Sequence, residues 1–305
     1  MARLRSVSRP ALSPGASFAE PALLGPAEVR AVASRLGLTP AKRLGQNFVV
    51  DPNTVRRIVA VAALRGDDVV LEIGPGIGSL TLGLLGAAHH VVAVEVDSGL
   101  AAELPATVAW RAPFYADRLR VVHADALRLA DLAAPAPNVA VANLPYNVAV
   151  PVVLHLWRTL PSLTRGLVMV QAEVAERLVA PPGSRTYGVP SVKAAWYADV
   201  RAAGQVSRTV FWPVPRVDST LVAWSRRQPP VSRAGREAVF RCIDAAFAQR
   251  RKTLRSSLAA LAGSPDAAAD ALRRAGVDPG VRGEALGVDH FARIADALAG
   301  HGGPP

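Results

Sequence analysis

Five short runs rich in β-branched residues, at 69–73, 91–96, 119–123, 139–142 and 167–170, recur along the chain with helix-compatible stretches between them. Strands alternating with helices leave few architectures open, because right-handed crossovers give a parallel sheet covered on both faces. An α/β doubly wound domain is predicted. Two further strand-like runs, at 194–200 and 219–224, flank the turn Phe211-Trp212-Pro213-Val214-Pro215 and read as an antiparallel edge. After a linker at 226–233, Phe240, Ile243, Phe247, Leu254, Leu258 and Leu261 recur at helical spacing, which predicts a small all-helical C-terminal domain. The organisation expected is a flexible basic arm over 1–34, the α/β domain over 35–228 and the helical domain over 229–305.

Composition narrows the function classes. With 50% hydrophobic residues in 305, the chain can bury a substantial core. The formal net charge of +11 favours a polyanionic partner, although only three of the 35 Lys and Arg side chains are lysine, a bias that genome composition alone can produce. A single cysteine, Cys242, excludes a disulfide framework and a Cys-rich zinc site, and fits a reducing, cytoplasmic compartment. The six histidines lack metal-ligand spacing, so no metal is expected. The longest stretch without a charged residue, 132–157, is interrupted by prolines and asparagines that a membrane helix does not tolerate.

The run Leu71-Glu72-Ile73-Gly74-Pro75-Gly76-Ile77-Gly78 joins the first strand of the sheet to a helix, the position at which a doubly wound sheet binds a nucleotide-like ligand. Glu95 ends the second strand, where a carboxylate can accept both ribose hydroxyls. Asp125 follows the third, where it could accept from an adenine amino group. The glycine spacing fits a nicotinamide dinucleotide or S-adenosylmethionine, each imperfectly.

The end of the fourth strand, Asn143-Leu144-Pro145-Tyr146, decides between them. It resembles the Asn/Asp-X-Pro-aromatic motif of methyltransferases that modify planar exocyclic nitrogens. An adenine N6 lone pair is delocalised into the ring, so the nitrogen is a poor nucleophile until acceptors hold its hydrogens out of that plane. Asn143 Oδ1 and the Leu144 carbonyl can do this. Pro145 restricts Leu144 to extended backbone and helps aim its carbonyl, and Tyr146 can stack on the base. A sulfonium donor is already activated, so no strong base is required.

Together with Leu44-Gly45-Gln46-Asn47-Phe48-Val49-Val50-Asp51, Gln171-Ala172-Glu173-Val174, Tyr187-Gly188, the run Phe211 to Ser219 and Phe247-Ala248-Gln249-Arg250-Arg251-Lys252-Thr253, these motifs span residues about 40 to 290. In them the chain resembles the ribosomal RNA adenine N6,N6-dimethyltransferase family, and within it the branch acting on small-subunit (16S) ribosomal RNA. The resemblance implies a class I S-adenosylmethionine-dependent, Rossmann-like fold. It also implies dimethylation of two adjacent adenines in a 3′-terminal hairpin loop, four transfers in all, by a monomer acting in the cytoplasm on an assembling 30S-type subunit. It further implies that Gln46, Asn47 and Val49 pack against the methionine part of the cofactor and that Gly74, Gly76 and Glu95 hold its backbone and ribose. Asp125 and Ala126 would hold its adenine, Asn143 would stand where donor and target meet, and Phe211 would face Tyr146 across the target base. By residue type alone, Gln46 and Asn47 also suit turns or caps, and Phe211 also suits a core.

For RNA, the expected contacts are Arg216, Arg250, Arg251, Lys252 and Arg255, because residues 226–255 carry nine Lys and Arg against Glu237 and Asp244. A solvated helix face is the other reading of that segment. Three rival functions remain: the same chemistry on large-subunit RNA, conferring antibiotic resistance; a non-catalytic ribosome assembly factor; and a methyltransferase acting on a protein glutamine amide.

Overall fold

A computed structural model of the chain describes residues 20–38, 47–145, 148–249 and 251–300. Helix α1, Pro26–Arg35, opens with proline at its first position and buries Val29, Val32 and Ala33. Val29 and Val32 pack with Leu24 into one of the two apolar clusters of the core, so the arm expected to reach residue 34 is corrected over at least 24–34, where amphipathic spacing outweighs the basic composition. A two-residue strand, β1 (Phe48–Val49), precedes α2 (Pro52–Ala62), which Asp51 caps by accepting hydrogen bonds from the backbone N–H groups of Asn53 and Thr54.

The alternating unit follows: β2 (Val69–Ile73), α3 (Ser79–Ala87), β3 (His90–Glu95), α4 (Ser98–Arg111), β4 (Leu119–His123), β5 (Val139–Asn143), α5 (Ala149–Thr159), β6 (Arg165–Gln171), α6 (Ala172–Val179), α7 (Val189–Tyr197) and β7 (Ala198–Val206). Then come β8 (Phe211–Trp212) and β9 (Ser219–Arg226). Seven strands form one sheet in the order β4-β3-β2-β5-β6-β9-β7, with β4 through β6 parallel and β9 antiparallel to both neighbours. All five residues of β2 are buried, as expected of a strand covered on both faces. The expected strand at 194–200 is corrected, since residues up to Tyr197 belong to α7. Pro190 and the Ser191 hydroxyl, which accepts from the Gly188 N–H at 3.1 Å, start that helix.

One sheet face packs against α1 to α4 and the β1–β8 ribbon; the other packs against α5, α6, α7 and the C-terminal helices. Those are α8 (Gly235–Ala248), α9 (Leu254–Ser257), α10 (Ala259–Ala262), α11 (Pro265–Arg274) and α12 (Val288–Ala299). The single long periodicity read from Phe240 to Leu261 is broken between α8 and α9. Ile243, Leu258 and Phe291 share one apolar cluster with Trp157, Tyr197 and Trp224, so the helical segment has no core separate from the sheet's. Among the described residues, no helix is long and apolar enough to cross a membrane.

Candidate active site

The chain runs outward from β2 to β3 and β4, then returns to lay β5 on the other side of β2, so the C-terminal ends of β2 and β5 flank the switch point of the sheet. A cavity of about 310 Å³ opens there. Its floor is the glycine loop. Gly76 has φ +57°, and a Cβ on it would lie 2.8 Å from the Phe48 ring, so both backbone conformation and space demand glycine. Gly78 (φ +95°) caps α3 and would press a Cβ against Leu104 at 2.8 Å.

At the end of β3, Glu95 is 5% exposed. Its Oε2 accepts from the Gly76 N–H at 3.0 Å, and Oε1 accepts from Val96 and Asp97 N–H at 2.9 and 3.0 Å. Burial raises its pKa and these three donors oppose the rise. These bonds take both lone pairs of Oε1 and one of Oε2, so the acceptor site left for a ligand hydroxyl is on Oε2. Asp125 is held by the Leu127 N–H at 2.9 Å, and Ala126 lies beside it in the lining.

Two residues that sequence reasoning passed over also line the cavity. Glu72, inside β2 and 1% exposed, accepts from the Thr81 hydroxyl at 2.7 Å, and burial pushes its carboxyl up to about 8. Its place inside the motif was the available signal, but a strand pattern does not reveal that a carboxyl is sealed from water. Ser79, the first residue of α3, has a buried Oγ with no hydrogen-bond partner among the described residues. The ionisable side chains among the described lining residues are Glu72, Glu95 and Asp125, with no Lys or Arg. Such a lining repels a pyrophosphate and suits a cationic ligand that carries hydroxyls. The orphan Ser79 hydroxyl and the remaining acceptor site on Glu95 Oε2 fit S-adenosylmethionine on the same grounds.

Asn143 ends β5 at the rim. Its Nδ2 donates to the Asn47 main-chain oxygen at 3.0 Å, and among the described residues its Oδ1 accepts no hydrogen bond. Asn47, Val49, Gly74, Leu144 and Pro145 line the same cavity, so every described residue expected at the cofactor meets there. Gln46, Tyr146 and Arg250 lie outside the described residues. Phe211 is a correction: it is 2% exposed, pairs with Val49 and sits in the apolar core, leaving no open ring face for a base.

Of the expected RNA contacts, Arg216, Arg251 and Lys252 are exposed. Arg255 is exposed as well and pairs with Asp266 at 2.7 Å. Two of the cations counted over 226–255 are half-buried and committed within the fold. Arg226 donates to the carbonyls of Trp157, Leu160 and Leu163, and Arg236 pairs with Glu237 and donates to the Tyr197 hydroxyl. Among the described residues, no group of three or more His, Cys, Asp or Glu is placed to hold a metal ion.

Comparison with known proteins agrees with this geometry. The ribosomal RNA small subunit methyltransferase A of Thermobifida fusca (strain YX) is 65% identical over 278 residues, covering 91% of this chain and 97% of the relative. The protein of the same name from Kineococcus radiotolerans is 66% identical over 273 residues, covering 90% and 91%. Among solved structures, a dimethyladenosine transferase from Plasmodium falciparum superposes with a TM-score of 0.67 over 80% of this chain and 94% of that one, at 24% identity, a likeness of fold. The 23S rRNA methyltransferase ErmE superposes with a TM-score of 0.60 at 28% identity, over 83% and 100%. The family profile described as "Ribosomal RNA adenine dimethylase" matches residues 38–300, and the chain belongs to that family.

Proposed function

We propose that the chain is an S-adenosylmethionine-dependent enzyme that dimethylates N6 of two adjacent adenines in the 3′-terminal hairpin loop of small-subunit ribosomal RNA, during assembly of that subunit in the cytoplasm. Methyltransferases of this family use S-adenosylmethionine, which when bound supplies an activated methyl on a sulfonium. Glu95 would take the ribose hydroxyls and Asp125 the adenine amino group, with Gly74 and Gly76 allowing close backbone approach. Asn143 Oδ1 and the Leu144 carbonyl would accept the two N6 hydrogens of the target and so free its lone pair. Tyr146 would stack on the target base, and Gln46, Asn47 and Val49 would close over the methionine part. Arg216, Arg251 and Lys252 would meet RNA phosphates.

The observation that carries this reading is the pairing, at one switch point, of a cavity whose ionisable side chains among the described residues are all acids with an asparagine whose Oδ1 accepts no hydrogen bond from the described residues. The likeness to ErmE keeps large-subunit RNA as a second reading, weighed against relatives at 65% and 66% identity that are named for the small subunit. Incubation with methyl-labelled cofactor and purified subunits lacking the modification tests it. Label entering small-subunit RNA is expected; label entering only large-subunit RNA, or none, overturns it.

A further inference from the structure

The two aromatic residues of β8 have different environments. Phe211 is buried against the sheet side. Trp212 is half-buried, pairs with Phe48 across the ribbon, and stacks on it with ring centroids 6.5 Å apart and planes 23° from parallel. Phe48 is fixed in turn, because its ring is wedged against Gly76 and lines the cavity. Asn47, one residue earlier, receives the hydrogen bond from Asn143. A continuous run of contacts therefore joins the Asn143 rim to the indole of Trp212. Beyond it the chain exposes Val214 (60%) and Val217 (44%) with Arg216 between them, an apolar lip carrying a cation.

A half-buried tryptophan backed by an immobilised ring suits a flat partner. Every nucleobase has two π faces, and stacking on an aromatic side chain needs no particular hydrogen-bonding edge. If two adjacent adenines are modified, one cavity admits one at a time, and its neighbour has lost its own stacking partner.

We infer that Trp212, backed by Phe48, is the ledge on which the RNA stacks the base adjacent to the reacting adenine. This rests on the proposed RNA adenine chemistry and deepens it: Trp212 holds the second adenine while the first is in the cavity, and Arg216 lies near enough in sequence to meet the phosphate beside it.

The test uses the full chain and small subunits lacking the modification, alongside a matching RNA hairpin with 2-aminopurine at the adjacent adenine. Trp212→Ala is expected to raise the subunit KM by about 5- to 150-fold, the range of base–aromatic stacking, with cofactor affinity unchanged. Trp212→Phe should recover most of the loss. Trp212→Leu, which keeps apolar packing on Phe48 without a π face, should behave like alanine. Wild-type protein should quench the 2-aminopurine and the alanine and leucine variants should not. A wild-type KM and quench in Trp212→Leu overturns the inference, as does a parallel loss of cofactor affinity and Tm in every variant, which marks plain packing. Quenching does not require transfer, so a wild-type protein that bound and quenched without methylating would sink the proposed reaction while leaving the ledge standing. A wild-type protein that bound no RNA would sink both.

Discussion

Replacing Glu72 by glutamine should flatten part of the pH dependence of stability, and the size of the effect follows from where the carboxyl sits. In the folded protein it holds its proton up to about pH 8, against an ordinary value of 4.5. Between these values the folded state binds one more proton than the unfolded chain, so stability falls as pH rises, by about 1.36 kcal/mol per unit for a single group. Allowing for partial protonation at both ends, Glu72 alone should remove on the order of 2 to 3 kcal/mol between pH 5.5 and 7.5. Glutamine keeps the shape and an acceptor for the Thr81 hydroxyl but has no proton to lose. Urea unfolding of both proteins without cofactor, at pH 5.5, 6.5 and 7.5, gives the comparison. Groups common to the two proteins cancel in the difference, which should move by on the order of 2 to 3 kcal/mol in favour of Glu72→Gln as pH rises. A difference that stays level would mean that Glu72 ionises in the folded state as it does in water, and the sealed carboxyl would be refuted.

Glu95→Ala should weaken S-adenosylmethionine binding by about 10- to 150-fold, the value of roughly 1.5 to 3 kcal/mol for hydrogen bonds to a charged acceptor, as calorimetric titration of a folded variant would register. Asn143→Ala should leave cofactor and RNA affinity within a few-fold and slow single-turnover transfer by about 10² to 10³, as when one preorganised polar group is removed from a reacting centre. Alanine at Arg251 and Lys252 should flatten the salt dependence of RNA binding by roughly 0.7 log units per lost single-strand phosphate contact, with cofactor affinity unmoved; an unchanged salt slope would return that segment to solvent.

Where one local signal dominated, the sequence was legible. The β-branched run at β2 appears at the expected residues because a parallel central strand is buried on both faces and carries no competing pattern, and the run at β4 appears there although that strand is the half-buried edge of the sheet. The glycine loop, Glu95, Asp125 and Asn143 were readable because each stands at a strand end, and the sheet brings strand ends together. Ala194 to Tyr197 misled because buried alanine and aromatic residues suit a strand or a short proline-started helix, and the Ser191 cap decides for the helix. Phe211 matched the motif, yet packing claimed it for the core and left the partly open ring at Trp212. Arg226 and Arg236 counted as surface charge in the sequence, while the fold uses them to tie strand and helix ends together. Such assignments depend on partners 39 to 69 residues away, beyond any local pattern.

The central claim is transfer to adenine N6 by this cavity, and the most direct measurement is the product itself. Small subunits lacking the modification would be incubated with the protein and S-adenosylmethionine, their RNA digested to nucleosides and short fragments, and the products identified by mass. The account predicts N6,N6-dimethyladenosine at two adjacent positions of the 3′-terminal hairpin loop, four methyl groups in each RNA at completion. Unmodified adenines there, or label on any other nucleoside, would contradict it.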